Sequence, residues 1–154
     1  MKTIQDLSEA DPHAFQSYGV LGPFSDGIGE LRFLHVKDGQ FMTRFDITAS
    51  HTNNLGIPHG GFLCTLADNS MGACLRLSTG HRFVTVHLNI DFIGLARVGT
   101  VIEISTTLQK IGGRLCFVEC LGTTGGEIVF SAKGLFKRID AALDRGTPST
   151  PSIS

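Results

Sequence analysis

Asp68 is the only Asp, Glu, Lys or Arg between Ile47 and Leu75. It sits in a segment otherwise built from Phe62, Leu63, Leu66, Met71, Ala73, Cys74 and Leu75. On a helix of 3.6 residues per turn it shares a stripe with Cys64, Thr65, Met71, Gly72 and Leu75, a small and mostly apolar set rather than a charged outer face. A carboxylate buried there without a partner is costly and tends towards a raised pKa, so such a group is often kept for chemistry. Just upstream runs the polar, glycine-bent loop Asn53-Asn54-Leu55-Gly56-Ile57-Pro58-His59-Gly60-Gly61. A helix that starts at its end presents unsatisfied N–H donors and the positive end of its dipole, the setting in which a developing negative charge is stabilised. At Gly60 the absence of Cβ lets a carbonyl come close to the backbone.

The elements that must position these groups follow from the rest of the chain. Residues 3 to 18 are expected to form short helical turns broken at Asp11-Pro12, and residues 21 to 29 a loop punctuated by glycine and proline, with Phe24 and Ile28 capping the core. Strands are expected over 30–36 and 40–47, joined at Lys37-Asp38-Gly39, since Asp-Gly between alternating apolar runs signals a hairpin. A helix over 59–77 stops at Ser78-Thr79-Gly80. The next strand alternates, with Val84, Val86, Leu88, Ile90 and Phe92 on one face and Thr85, His87, Asn89 and Asp91 on the other. Strands over 100–110, 114–123 and 127–138 have connections too short for parallel crossovers, so they pair antiparallel. The predicted class is α+β, an antiparallel sheet burying one apolar face on one long helix. The expected organisation is N-terminal turns and loop over 1–29, a main domain over 30–140 and a flexible tail over 141–154.

Composition narrows the partners. The 154 residues suit one domain with a proper core, and 13 Lys plus Arg against 14 Asp plus Glu leave no net basic charge for a nucleic acid backbone. The four cysteines contain no C-x-x-C pair and read as reduced core residues. His51 and His59 lack a third ligand at suitable spacing, so no metal is expected. The first seven residues lack the apolar run of a signal peptide, and no long uncharged span suits a bilayer. A cytoplasmic, non-membrane protein is the expectation.

The asparagine, glycine, His59-Gly60-Gly61 and Asp68 at these spacings, followed by Val84-Thr85-Val86-His87-Leu88-Asn89, resemble the PaaI-like branch of the hotdog-fold acyl-CoA thioesterases, in the 4-hydroxybenzoyl-CoA thioesterase superfamily. The resemblance runs from about residue 30 to 138. It implies a sheet wrapped around the central helix, subunits joined edge to edge as a homodimer or homotetramer, and an acyl-CoA or aryl-CoA thioester as substrate with no further cofactor. By position, Gly60 would offer its N–H to the thioester carbonyl, Asn53 would assist, His59 would support the loop or the carbonyl, Gly61 would contribute to substrate binding, and Asp68 would act as general base or nucleophile. Thr85 stands where some relatives carry a serine that orients water.

The same residues have plainer uses: Asn53 can close a turn, His59 can cap the helix and Thr85 can be an ordinary strand residue. Arg82, Lys110 and Arg114 lie beside turns and could meet CoA phosphates or simply be solvated. Eight residues along a helix span about 12 Å, too far for Gly60 and Asp68 of one chain to reach the same thioester carbon. Two antiparallel helices across a two-fold axis would bring Asp68 of one copy to Gly60 of the other. A non-catalytic acyl-CoA binding module is the alternative function. It predicts an inert residue at position 68.

Overall fold

A computed structural model describes residues 11–139, in which β-strands are closed by glycine turns and folded across one long helix. Of the helical turns expected over residues 3 to 18, those before residue 11 lie outside these residues, as does the tail beyond 140; within 11–18 only Pro12–Ala14 turns, and Gln16–Ser17 is a strand instead, paired with Phe33 and Arg32. A 3-10 turn at Pro12–Ala14 is followed by β1 (Gln16–Ser17), a short helix α1 (Pro23–Asp26), β2 (Arg32–Lys37), β3 (Gln40–Asp46), a second 3-10 turn at Ala49–His51, the central helix α2 (Gly60–Thr79), and then β4 (Arg82–Phe92), β5 (Val101–Gly112), β6 (Leu115–Thr124) and β7 (Glu127–Ile139). The seven strands form one antiparallel sheet in the order β1-β2-β3-β5-β6-β7-β4. This is the expected α+β hotdog arrangement.

The helix holds its place because one side of it is almost entirely apolar. Phe62, Leu63, Leu66, Ala67, Met71, Ala73, Cys74 and Leu75 are buried, in one cluster with Phe33, Phe41, Phe45, Ile102, Ile104, Val118, Phe130 and Phe136 from the strands. The one buried polar residue of the helix, Ser70, shares a 2.6 Å hydrogen bond with Thr43 of β3, which satisfies both hydroxyls. On β7 the absence of a side chain at Gly134 lets the helix settle: a Cβ there would lie 2.5 Å from the Phe136 ring and 3.1 Å from Met71 Sδ. Gly80 ends the helix in the left-handed conformation, φ 71°, returning its N–H to the Arg76 carbonyl.

Three further expectations need correction. The glycine-rich loop contains α1, because Pro23 suits a first helical position and the Asp26 carboxylate folds back to accept from the N–H groups of Leu21 and Gly22 at 2.9 and 3.2 Å. Phe24 does not cap the core: it is 73% exposed, whereas Ile28 does pack on the core. The alternation of β4 is also broken by a bulge between Thr85 and His87. Thr85 pairs with Phe136, so it faces the helix with Leu88, Ile90 and Phe92, which pair with Gly134, Ala132 and Phe130. Val84 instead joins His87, Asn89 and Asp91 on the outer face. A bulge inserts one residue and exchanges the faces beyond it, a change that a period-two pattern read through the segment conceals.

Candidate active site

The loop before α2 is stiffened by its own asparagine. The Asn53 side-chain oxygen accepts from the N–H of Leu55 at 2.9 Å and, more loosely, of Ile57 at 3.4 Å. The Asn53 N–H donates to the Ile57 carbonyl at 2.9 Å, and Gly56 turns the chain with φ 73°. Asn53 is thus the organiser of the loop, its side-chain oxygen, backbone N–H and carbonyl all engaged within it. The loop closes as the His59 N–H meets the His51 carbonyl at 2.8 Å.

His59 is the N-cap of α2, and its Nδ1 accepts from the Gly61 N–H at 2.8 Å. That bond fixes Nδ1 as the acceptor and consumes the Gly61 donor. Gly61 is needed for the cap, since a Cβ there would lie 3.0 Å from Nδ1. The Gly60 N–H, by contrast, finds no acceptor among the described residues, and the Phe92 ring stands against this glycine, 3.4 Å from where a Cβ would be. An unsatisfied N–H at a helix start, walled by an aromatic ring, is a donor held ready for a carbonyl oxygen.

Asp68 lies two turns further along the helix, half-buried and facing β4. It is neither fully buried nor unpartnered, as its apolar surroundings had suggested: the Thr85 hydroxyl donates to its Oδ1 at 2.6 Å. The β4 bulge makes this bond possible by turning Thr85 to the helix side. With Oδ1 oriented by Thr85, Oδ2 is left to take a proton or to attack.

His51 lies beneath the cap. Its Nδ1 accepts from the Thr48 N–H at 3.0 Å and its Nε2 donates to the Ile28 carbonyl at 2.6 Å. The ring stacks on Phe62 with centroids 4.2 Å apart and planes within 5°. With both nitrogens engaged, His51 is a fixed structural group joining the N-terminal segment to the helix start. Among the described residues no three His, Cys, Asp or Glu side chains are placed to hold a metal, and no helix is long and apolar enough to cross a membrane.

The structure therefore gathers Asn53, His59, Gly60 and Gly61 at the helix start, and Asp68 with Thr85 one helix segment away. It does not gather the three basic residues there. Arg82 begins β4 near Tyr18, whose hydroxyl is held above its usual pKa by burial, an effect that Arg76 and Arg82 oppose. Arg114 lies in the β5–β6 turn. Lys110 borders a cavity of about 660 Å³ with His35, Asp38, Leu77 and Ser78 at the far end of α2. Sequence reasoning also missed two contacts of the site, Phe92 against Gly60 and Ser25 Oγ, 3.2 Å from Asn69 Oδ1 beside Asp68. The Pro-Phe-Ser-Asp run was the available signal for a local helical turn at 23–26.

Comparison with known proteins agrees with this geometry. The family model of the thioesterase superfamily matches residues 55–130, from the loop before the cap into β7. The chain is 35% identical over 127 residues to "Putative esterase PA0474" of Pseudomonas aeruginosa, covering 81% of this chain and 95% of that one. It is 32% identical to human acyl-coenzyme A thioesterase 13 over 97 residues, 62% of this chain and 69% of that one. Among solved structures, conserved protein PA5202 of Pseudomonas aeruginosa superposes with a TM-score of 0.71 at 26% identity, covering 77% of this chain and 95% of its own. Zebra fish thioesterase superfamily member 2 superposes with a TM-score of 0.70 at 25% identity, covering 79% and 89%. The sheet wrapped on α2, the capped helix start and these relatives together make the chain a hotdog-fold member of the thioesterase superfamily.

Proposed function

We propose that the protein hydrolyses an acyl-CoA or aryl-CoA thioester in composite sites formed by two copies of the chain, in the PaaI-like manner. The observation that carries this reading is the separation of two prepared groups on one rigid helix. The free Gly60 N–H and the Thr85-oriented Asp68 carboxylate are about 12 Å apart along the axis, too far to serve one carbonyl carbon. Among the described residues the sheet also ends in β4, an eleven-residue edge strand with one side unpaired. Edge-to-edge pairing of two copies through β4 would satisfy that edge and run the two helices antiparallel, each Asp68 beside the other copy's Gly60.

In such a site the thioester carbonyl oxygen accepts from the Gly60 N–H, with the helix dipole behind it. Asp68 takes a proton from water as the water oxygen bonds to the carbonyl carbon. Collapse of the tetrahedral intermediate breaks the C–S bond, and the CoA sulfur leaves with a proton. In the nucleophilic variant Asp68 Oδ2 attacks the carbonyl carbon first, the C–S bond breaks and the CoA thiolate leaves to take up a proton from solvent, and water then opens the resulting mixed anhydride to the free acid and the Asp68 carboxylate. Mass spectrometry of a rapidly quenched reaction separates the two routes, since only the second acylates the Asp68 peptide.

The name of the human relative, acyl-coenzyme A thioesterase 13, supports CoA as the carrier. Lys110 and Arg114 can meet CoA phosphates only if a second copy brings its substrate to that end of the molecule. Lys110→Ala would then raise KM for acyl-CoA but not for the acyl-pantetheine fragment. The direct test is thiol release from short, medium, long and aryl acyl-CoAs by wild type and Asp68→Asn. Turnover that survives the substitution would contradict the assignment of Asp68. Binding without turnover in the wild type would instead indicate an acyl-CoA binding module.

A further inference from the structure

Against the helix cap lies a cleft of about 320 Å³, whose lining includes Phe24, Ile28, His51, His59, Phe62 and Thr65. One wall is the strap over residues 21–28, which is pinned in three places: Asp26 to its own N–H groups, Ser25 to Asn69 of α2, and the Ile28 carbonyl to His51. We infer that this strap is the acyl-specificity wall of the site, and that the cleft takes an uncharged, apolar acyl group the size of one aromatic ring or a medium aliphatic chain. The inference rests on the thioesterase reading and adds the substrate class.

Three features support it. The cleft is lined by His59 and Gly61, the two neighbours of Gly60, whose N–H finds no acceptor among the described residues; with the carbonyl of a bound thioester at that N–H, the acyl group is the part of the substrate that continues into the cleft. No Lys, Arg, Asp or Glu lines it. Its hydroxyls are already committed: Thr65 donates to the Gly61 carbonyl at 3.0 Å, Thr52 to the Ala49 carbonyl at 2.8 Å, and Ser50 shares a 2.8 Å bond with Thr48. Apart from the second ring nitrogen of His59, what remains is apolar contact, and one donor does not replace the water that a carboxylate- or phosphate-bearing acyl group would lose. The volume is at the low end of the usual range for small-molecule sites, about 300–1,000 Å³, enough for an acyl group but not for the nucleotide as well. Phe24 contributes little to the core, being 73% exposed, and an acyl chain lying under its ring would bury it.

The test compares wild type, Phe24→Ala and Ile28→Trp across straight-chain acyl-CoAs from acetyl to palmitoyl plus benzoyl-CoA. The same series of S-alkyl-CoA thioethers, which cannot be hydrolysed, provides a binding readout. Wild type is expected to gain about fourfold in kcat/KM per added methylene, the value of burying one, until the cleft is filled, and then to fall. Phe24→Ala should flatten that gain and move the optimum to longer chains; Ile28→Trp should move it to shorter ones. Thioethers that bind with one length profile in all three proteins would overturn the strap as specificity wall while leaving the thioesterase reading intact. No binding and no turnover of any member would overturn both.

Discussion

At the scale of single residues, the proposed mechanism depends on two atoms, the Gly60 N–H and Asp68 Oδ2. Proline suits the first position of a helix, where its fixed φ is already helical and its missing N–H breaks no bond. His59 ahead of it has φ −63° and ψ 138°, a conformation compatible with a following proline. Gly60→Pro should therefore keep the helix start while removing the donor and placing ring carbons against Phe92, lowering kcat by at least about 10²–10³-fold with an unchanged circular dichroism spectrum. Asp68→Asn should lower kcat by about 10²–10⁴-fold. Thr85→Val should reduce kcat while Thr85→Ser retains it, because the hydroxyl that orients Oδ1 is what matters. The thiols give an independent check of burial. Cys74 and Cys120 are pushed up to about 12 by burial, and burial also raises Cys64 and Cys116. Because the reactive thiolate appears only as pH approaches the raised value, a disulfide reagent at pH 8 should modify the half-buried Cys64 slowly and the other three only on unfolding. Asp68 and the glycines beside His59 were legible in the sequence because residue types out of place in an apolar run identify themselves. The caps, the Thr85 bond and Phe92 were not, since each depends on an atom brought from another element.

At the scale of elements, the central helix and six of the seven strands follow from periodicity and glycine turns. The two-residue strand β1 does not, because two residues carry no period. The β4 bulge is the more instructive miss. The sequence reads as perfect alternation, and the face exchange becomes visible only against the partners on β7. Without it Thr85 would face away from Asp68, so the irregularity that sequence periodicity hides is the one that completes the carboxylate's environment. Helix seating gives two stability predictions. Gly134→Ala forces a methyl group against Met71 and Phe136 and should lower unfolding stability by about 1–3 kcal/mol. Ser70→Ala leaves the Thr43 hydroxyl buried without its partner and should cost about 1–3 kcal/mol. Both are measured by urea unfolding.

At the scale of the whole molecule, the central claim is that each site needs two copies of the chain. The argument joins a distance along α2 to an unpaired sheet edge, neither of which is a property of any one residue. Mixing two inactive variants tests it most directly. Gly60→Pro and Asp68→Asn are each expected to be nearly inactive alone. Once subunits have exchanged, the mixed dimer pairs the intact Gly60 of one copy with the intact Asp68 of the other. Composite sites predict recovery of about one quarter of the wild-type rate from an equimolar mixture, because half of the dimers are mixed and one of their two sites is whole. A mixture that stays as inactive as its components, with subunit exchange demonstrated by native mass spectrometry, would contradict the account.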